Sequence, residues 1–121
     1  NDGTTPLFMA CQNGHVEIAR LLLEAGAAVN QAVNGGFTPL FVACQLGRLE
    51  CARLLLKASA AIDQATENGV TPLFMACQEG HVDIVRLLLE TGAALDQARN
   101  DGTTPLFMAC QKGHLECARL L

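Results

Sequence analysis

The run Thr-Pro-Leu-Phe occurs four times, beginning at Thr5, Thr38, Thr71 and Thr104, each copy 33 residues after the last. A fixed period of this length is the signature of one supersecondary unit stacked on itself. The likeness extends well beyond the tetrapeptide. Asn1–Leu22 and Asn100–Leu121 differ only at Asn13/Lys112, Val16/Leu115 and Ile18/Cys117. A unit this short cannot bury its apolar face alone, so neighbours must share one continuous core. The chain therefore divides into units 1–33, 34–66 and 67–99 and a truncated fourth, 100–121.

Local chemistry predicts two helices in each unit. Thr5 can offer its hydroxyl to the free N–H groups of a first turn, and Pro6 follows where its missing N–H costs nothing. Leu7, Ala10 and Cys11 fall at i, i+3 and i+4 on one face, and Gly14 ends this short helix. In the second helix, Ile18, Leu21, Leu22 and Ala25 are expected to form the buried stripe. Glu17 and Arg20 stand three apart on the other side, the acid nearer the N-terminus as the helix dipole prefers. Gly26 is placed to stop the helix in a left-handed cap. Ser59 stands where Gly26 and Gly92 do this, and is expected to be a local weak point.

Half of the residues are apolar and 17% are charged, which excludes a disordered tail. The net charge of −4, with eight Lys/Arg spread along the chain, argues against nucleic-acid and membrane-surface partners. No apolar run approaches the length of a membrane span. The first residue is not Met, so Asn1 is not expected to be a native start.

Six cysteines invite a disulfide reading, but Cys11, Cys44, Cys77 and Cys110 hold one repeat position on successive helices. Packed helices lie roughly 8–10 Å apart, and a disulfide needs Cα atoms within about 7 Å. Cys51 and Cys117 stand where Ile18 and Ile84 stand elsewhere. All six are expected to be free, buried and slow to react, with Cys44–Cys51 the one pairing left open. Reduced structural thiols suit an intracellular, cytoplasmic protein.

Catalytic signals are sparse. Ser59 is the only serine, Tyr and Trp are absent, and no phosphate-cradling Gly-rich loop or His-Glu-x-x-His run occurs. Cys and His recur four apart at Cys11/His15, Cys77/His81 and Cys110/His114, but a glycine interrupts each pair and Arg48 replaces the second His. A structural role is expected there, with no metal, cofactor or catalysis. Phe8, Phe41, Phe74 and Phe107 form a ladder whose spacing is too wide for ring stacking, so each ring should fill the gap between inner helices. Gln12, Gln45, Gln78 and Gln111 lie on the same helical row, and can either bond neighbouring loops or meet a ligand.

Each unit reads Gly-x-Thr-Pro-Leu-Phe-[Met/Val]-Ala-Cys-Gln-x-Gly-[His/Arg], then [Val/Leu]-[Glu/Asp]-x-[Ala/Val]-Arg-Leu-Leu. The complete units continue Leu-x-x-[Gly/Ser]-Ala-Ala-x-[Asn/Asp]-Gln-Ala. Over its whole length this pattern closely resembles the ankyrin repeat. The departures recur with the period. The four Phe replace the usual His, the four repeat Cys replace the second Ala, and Ala28, Ala61 and Ala94 replace an Asp. Val33, Thr66 or Arg99 stands where an Asp usually opens the turn.

The resemblance implies an all-α repeat solenoid of stacked helix-turn-helix units joined by β-hairpin-like loops. It implies a structural imidazole in each Gly-His pair, hydrogen-bonded to backbone at a turn. It also implies a concave surface of loop tips and inner-helix edges that binds a protein partner. The family's second-loop Asn can be hydroxylated, and Asn30 matches that position, with Asp63 and Asp96 in its place elsewhere.

The units compared with one another vary at Thr4/Phe37/Val70/Thr103, at Asn13/Leu46/Glu79/Lys112, at Asp2/Gly35/Asn68/Asp101 and at Val33/Thr66/Arg99. Phe37, Leu46 and Val70 are apolar where other units place polar residues. They are the expected anchors of a partner, with Asn68, Glu79, Arg99 and Lys112 as a polar rim. The alternatives are that Phe37 folds back on its loop and Leu46 is neutral, that the chain is a spacer in a longer array, or that it is a consensus-like designed scaffold. The first and last units carry the same apolar set as the inner ones, which predicts end-to-end self-association.

Overall fold

The computed structural model describes residues 3–121, so Asp2 of the varying set lies outside the described residues. It is a stack of four helix pairs. The inner helices are α1 (Pro6–Asn13), α3 (Pro39–Leu46), α5 (Pro72–Glu79) and α7 (Pro105–Gln111). The outer ones are α2 (Val16–Glu24), α4 (Leu49–Lys57), α6 (Val82–Thr91) and α8 (Leu115–Leu120). Each inner helix packs on the next inner helix and on the outer helix of its own pair, and the outer helices pack in series behind them.

The start of every inner helix is built as its sequence dictates. The hydroxyls of Thr5, Thr38, Thr71 and Thr104 each accept the N–H of the Phe three residues on, at 3.1 Å. Proline follows each threonine, and α1, α3 and α5 end on Gly14, Gly47 and Gly80 in the left-handed conformation. The outer helices carry Glu17, Glu50, Asp83 and Glu116 in their first turns. Each acid pairs with the Arg three residues on: Glu17 with Arg20, Glu50 with Arg53 at 3.6 Å, Asp83 with Arg86 at 3.9 Å, and Glu116 with Arg119 at 3.1 Å. Such exposed pairs are worth about 0.3–0.5 kcal/mol each.

The core runs along the stack between the two helix layers. Its outer-helix side is Cys51, Ala52 and Leu55 in α4 and Ile84, Val85 and Leu88 in α6. This corrects the stripe expected in α2. There Ile18, Leu21 and Ala25 are exposed, Leu22 is half-buried, and Ala19 is the buried residue. The buried row of the middle units corresponds to Ile18, Ala19 and Leu22. Its first position points back toward the preceding unit, and α2 is the first outer helix in the stack.

Three rings of the phenylalanine ladder, Phe8, Phe41 and Phe74, are buried as expected, but Phe107 is 57% exposed; the close ring pair among the described residues is Phe37 on Phe41.

Ser59 adopts φ 69°, the only non-glycine among the described residues with a left-handed backbone. Gly26 and Gly92 hold the same place with φ 90° and 103°. A Cβ on either glycine would meet nothing within 4 Å, so the strain at Ser59 belongs to the backbone alone. Ser59→Gly is expected to raise stability by about 0.5–1 kcal/mol, the gain reduced by glycine's larger unfolded-state entropy. Urea denaturation followed by circular dichroism checks this, and an unchanged or lower midpoint would count against it.

Candidate partner-binding surface

Between helix pairs the chain makes a tight hairpin whose first residue donates its N–H to the carbonyl four residues on. The pairs are Val33 to Phe37 at 2.9 Å, Thr66 to Val70 at 2.9 Å and Arg99 to Thr103 at 2.8 Å. Successive hairpins bond to each other through Glu67 N–H to the Gly35 carbonyl and Asn100 N–H to the Asn68 carbonyl, both 2.9 Å. The loop edge is thus one hydrogen-bonded ribbon. Two further bonds tie its base: Asn30 Oδ1 accepts Ala61 N–H at 2.9 Å, and Asp63 Oδ1 accepts Ala94 N–H at 3.0 Å. Either side chain supplies the oxygen, which is why Asn and Asp exchange at this position. Sequence reasoning missed this cross-unit role, although the exchange of two acceptors 33 residues apart was its visible signal.

A second set of clasps crosses the far end of the inner helices. His81 Nε2 lies 3.0 Å from the Gln45 carbonyl, and His114 Nε2 lies 3.0 Å from the Gln78 carbonyl. Arg48, the apparent break in the Gly-His pattern, donates its Nε–H to the Gln12 carbonyl at 3.1 Å. It performs the same task. The rings cover the glycines of the preceding unit: a Cβ on Gly47 would stand 2.9 Å from His81, and one on Gly80 2.7 Å from His114. The Gln row therefore bonds its neighbours through backbone carbonyls, and the imidazoles face the preceding unit. Among the described residues no three His, Cys, Asp or Glu side chains gather as a metal site.

Six of the seven expected partner residues fall into three groups. Leu46 is 43% exposed at the end of α3, and Glu79 and Lys112 are exposed at the same place on the next two inner helices. Phe37 is 37% exposed, its ring set edge-on to Phe41 at 5.2 Å and lying against Gly35. It is partly folded back and partly open. Asn68 and Arg99 line a surface recess with Asn100 and Asp101.

Val70 is a correction. It is only 9% exposed and packs in a cluster with Phe41, Phe74 and Met108. The aliphatic side chain serves the fold where Phe37 stays partly open, because it lies among three large apolar neighbours. Arg99 is also engaged within the chain. It sits 5.1 Å over the Phe74 ring and grips Asp101 through two bonds, at 2.7 and 3.1 Å. The Arg99 bonds, then those from Thr103, hold the Asp101 carboxyl well below the usual carboxylate range. This pair gives the recess little free charge.

A family model of ankyrin repeats, three copies long, matches residues 1–66 and again 58–121. The chain belongs to the ankyrin-repeat family. No curated protein sequence matches it. Ankyrin repeats in general bind proteins and are generally non-catalytic. Among the described residues no helix of this ankyrin array is long and apolar enough to cross a membrane.

The thiols of the array differ from the sequence expectation in two ways. All six are free, but Cys110 is exposed while the other five are buried. The pairing left open, Cys44–Cys51, is not formed, and the thiol that acts on Cys11 is that of Cys51 in the following unit. The cause is again that this outer-helix position points backward along the stack. Cys117 acts on Cys77 in the same relation one pair of units on. Burial, and then the neighbouring sulfur, pushes Cys11 and Cys77 up to about 12. Burial alone pushes Cys44 up, and it also raises Cys51 and Cys117.

Proposed function

We propose that this ankyrin array is a non-catalytic binding module that takes a protein segment along its inner-helix and loop face, centred on unit 34–66. The observation that carries the reading is the pair Phe37 and Leu46. Both are exposed apolar residues; unit 1–33 carries Thr4 and Asn13 at these positions, and unit 67–99 carries Val70 and Glu79. Phe37 precedes α3 and Leu46 ends it, so a segment laid along this inner helix would cover both exposed apolar side chains. Asn68, Glu79 and Lys112 supply the polar rim. Val70 leaves the proposed surface because it is buried, and Arg99 contributes as a fixed edge through its grip on Asp101.

The unit boundaries 1–33, 34–66, 67–99 and 100–121 are part of the same reading, supported by the period of the cross-unit bonds. An intracellular, cytoplasmic setting suits thiols that serve as small core side chains.

The test uses binders selected from a displayed library of protein fragments against the folded chain. Phe37→Ala combined with Leu46→Asp removes both anchors. Glu79 holds the same place in α5, so a carboxylate there is compatible with the fold. Truncating a buried aromatic anchor costs about 2 kcal/mol or more, so binding should weaken at least about thirtyfold. Circular dichroism should be unchanged. Binders that tolerate the double variant would overturn the inner-face reading, and a chain that yields no binders would favour the spacer.

A further inference from the structure

The inner face of the two middle units carries two kinds of side chain, apolar on one unit and acidic on the next. Units 34–66 and 67–99 each have a neighbour before and after them, so their exposure does not depend on the ends of the stack. Phe37 just before α3 and Leu46 at its end are the exposed large apolar side chains of unit 34–66. The helix between them has eight residues and is about 12 Å long. Each apolar residue has a carboxylate beside it on the following unit. Glu79 ends α5 where Leu46 ends α3, and the two helices pack directly on each other. Glu67 donates its backbone N–H to the Gly35 carbonyl at 2.9 Å, in the hairpin that carries Phe37. Both acids are exposed, and neither forms an ion pair with another described residue. The Glu79 carboxylate accepts one neutral bond, from the Gln78 amide at 3.3 Å.

We propose that the segment seated along α3 is basic and amphipathic: its apolar side chains cover Phe37 and Leu46, and lysine or arginine side chains on one flank reach Glu67 and Glu79. This rests on the inner-face reading and adds the partner's chemistry to it. The charge pattern decides the flank. The two acids stand on the side of the following unit. On the side of the preceding unit the helix-end position is Asn13, and the cation there is Arg48, held on the Gln12 carbonyl at 3.1 Å. An acidic segment would meet Glu67 and Glu79 as like charges. A purely apolar one would cover them without a partner, and burying an unpaired charge is costly. Further along the stack, Arg99 and Asp101 hold each other at 2.7 Å and add little free charge. Lys112 takes the place of Glu79 at the end of α7, which confines the basic flank to unit 67–99.

The repeat supplies its own comparison for the two acids. Asn34 and Asn100 hold the place of Glu67 in the adjacent units, and Asn13 and Lys112 hold the place of Glu79 elsewhere. The fold therefore requires neither carboxylate. Both fall on the one unit that follows the exposed apolar pair. The acids of the outer helices differ in this respect, since Glu17, Glu50, Asp83 and Glu116 are each paired with an Arg of their own helix. Exposed charges more than about 10 Å apart are largely screened at about 0.1 M salt. Glu67 and Glu79 thus act on side chains laid directly beside them, and rim charges of this kind set encounter rate and register.

Selection of a displayed random peptide library on the full chain tests the proposal. Peptides that bind the wild type should be enriched in Lys and Arg as well as in apolar residues; binders without that enrichment would overturn it. Glu67→Asn with Glu79→Lys takes both substitutions from other units, so circular dichroism should be unchanged. The selected peptides should bind this variant at least about tenfold more weakly, with slower association. Their binding to the wild type should also weaken as salt rises from about 0.1 M to about 1 M. Glu24→Gln with Glu90→Lys changes the net charge by the same amount on the outer helices, where both side chains are exposed, and should leave binding unchanged. Equal weakening by this outer pair would overturn the proposal, because net charge alone would then be at work. So would peptides that lose binding with Phe37→Ala and Leu46→Asp but keep it with the acid variant; the inner face would then stand without its basic flank. Peptides indifferent to both variants, or a library that yields no binders, would overturn the two readings together. Should the acid variant lose its helical signal, Glu67→Gln with Glu79→Gln takes its place and should weaken binding in the same direction.

Discussion

Phe74→Ala is expected to cost about 3–5 kcal/mol, the range for deleting a buried phenylalanine ring. Phe74 is fully buried in the cluster with Phe41, Val70 and Met108, and its face also carries the Arg99 guanidinium. Total stability of a domain this size is only about 5–15 kcal/mol, so the variant should lose most of its margin. Phe107→Ala deletes the same ring from the same repeat position, within the same Thr-Pro-Leu-Phe-Met-Ala-Cys-Gln run. Because Phe107 is largely exposed, that change should cost less than about 1 kcal/mol. Urea denaturation of the two variants in parallel, at a concentration where the chain is monomeric, makes the comparison. Equal losses would mean that the units do not differ in packing as the structure shows.

Thiol chemistry should separate one cysteine from five. In the folded, dilute chain a thiol reagent is expected to modify Cys110 quickly and the other five only through unfolding. Raising Cys11 and Cys77 from 9.0 to about 12 reduces their thiolate fraction near neutral pH by about a thousandfold, before any effect of access. All six should react in denaturant. A native count of two or more fast thiols would contradict the burial.

The same shifts set the pH dependence of stability. A thiol whose folded value lies above its unfolded value keeps its proton when the unfolded chain has lost it. Its contribution is complete below the unfolded value and is lost as pH rises from about 9 toward 12. Each such thiol adds a slope of about 1.4 kcal/mol per pH unit in that window. Stability should therefore be flat through the neutral range on this account and fall in alkali. Cys11→Ala with Cys77→Ala should flatten the alkaline limb.

Much of the fold was legible because its causes are local. The Thr-Pro start, the Gly stops, the left-handed turn at Ser59 and the acid–Arg pairs each depend on residues within four positions of one another. Sequence states such relations directly. The 33-residue period then made stacking a necessity, since no single unit carries a core of its own. The candidate surface was legible in part for the same reason: Leu46, Glu79 and Lys112 differ at one repeat position, and the structure leaves that position open in all three units.

What the period could not show is direction along the stack. Repeated sequence treats every unit as equivalent, but a stack has a front and a back. The outer-helix residues Ile18, Cys51, Ile84 and Cys117 look toward the preceding unit, and Phe8, Phe41, Phe74 and Phe107 toward the following one. Equivalent positions at the two ends therefore have opposite exposures: Ile18 is open and Cys117 buried, while Phe8 is buried and Phe107 open. Val70 was misjudged because its neighbours Phe41, Phe74 and Met108 come from three different inner helices. The sulfur beside Cys51 was not foreseen, because Cys11 belongs to another unit. Sequence alone determined the unit, its caps and the need to stack, which are short-range facts. Burial, thiol environment and the free faces were decided by tertiary structure, because each depends on which unit lies on which side.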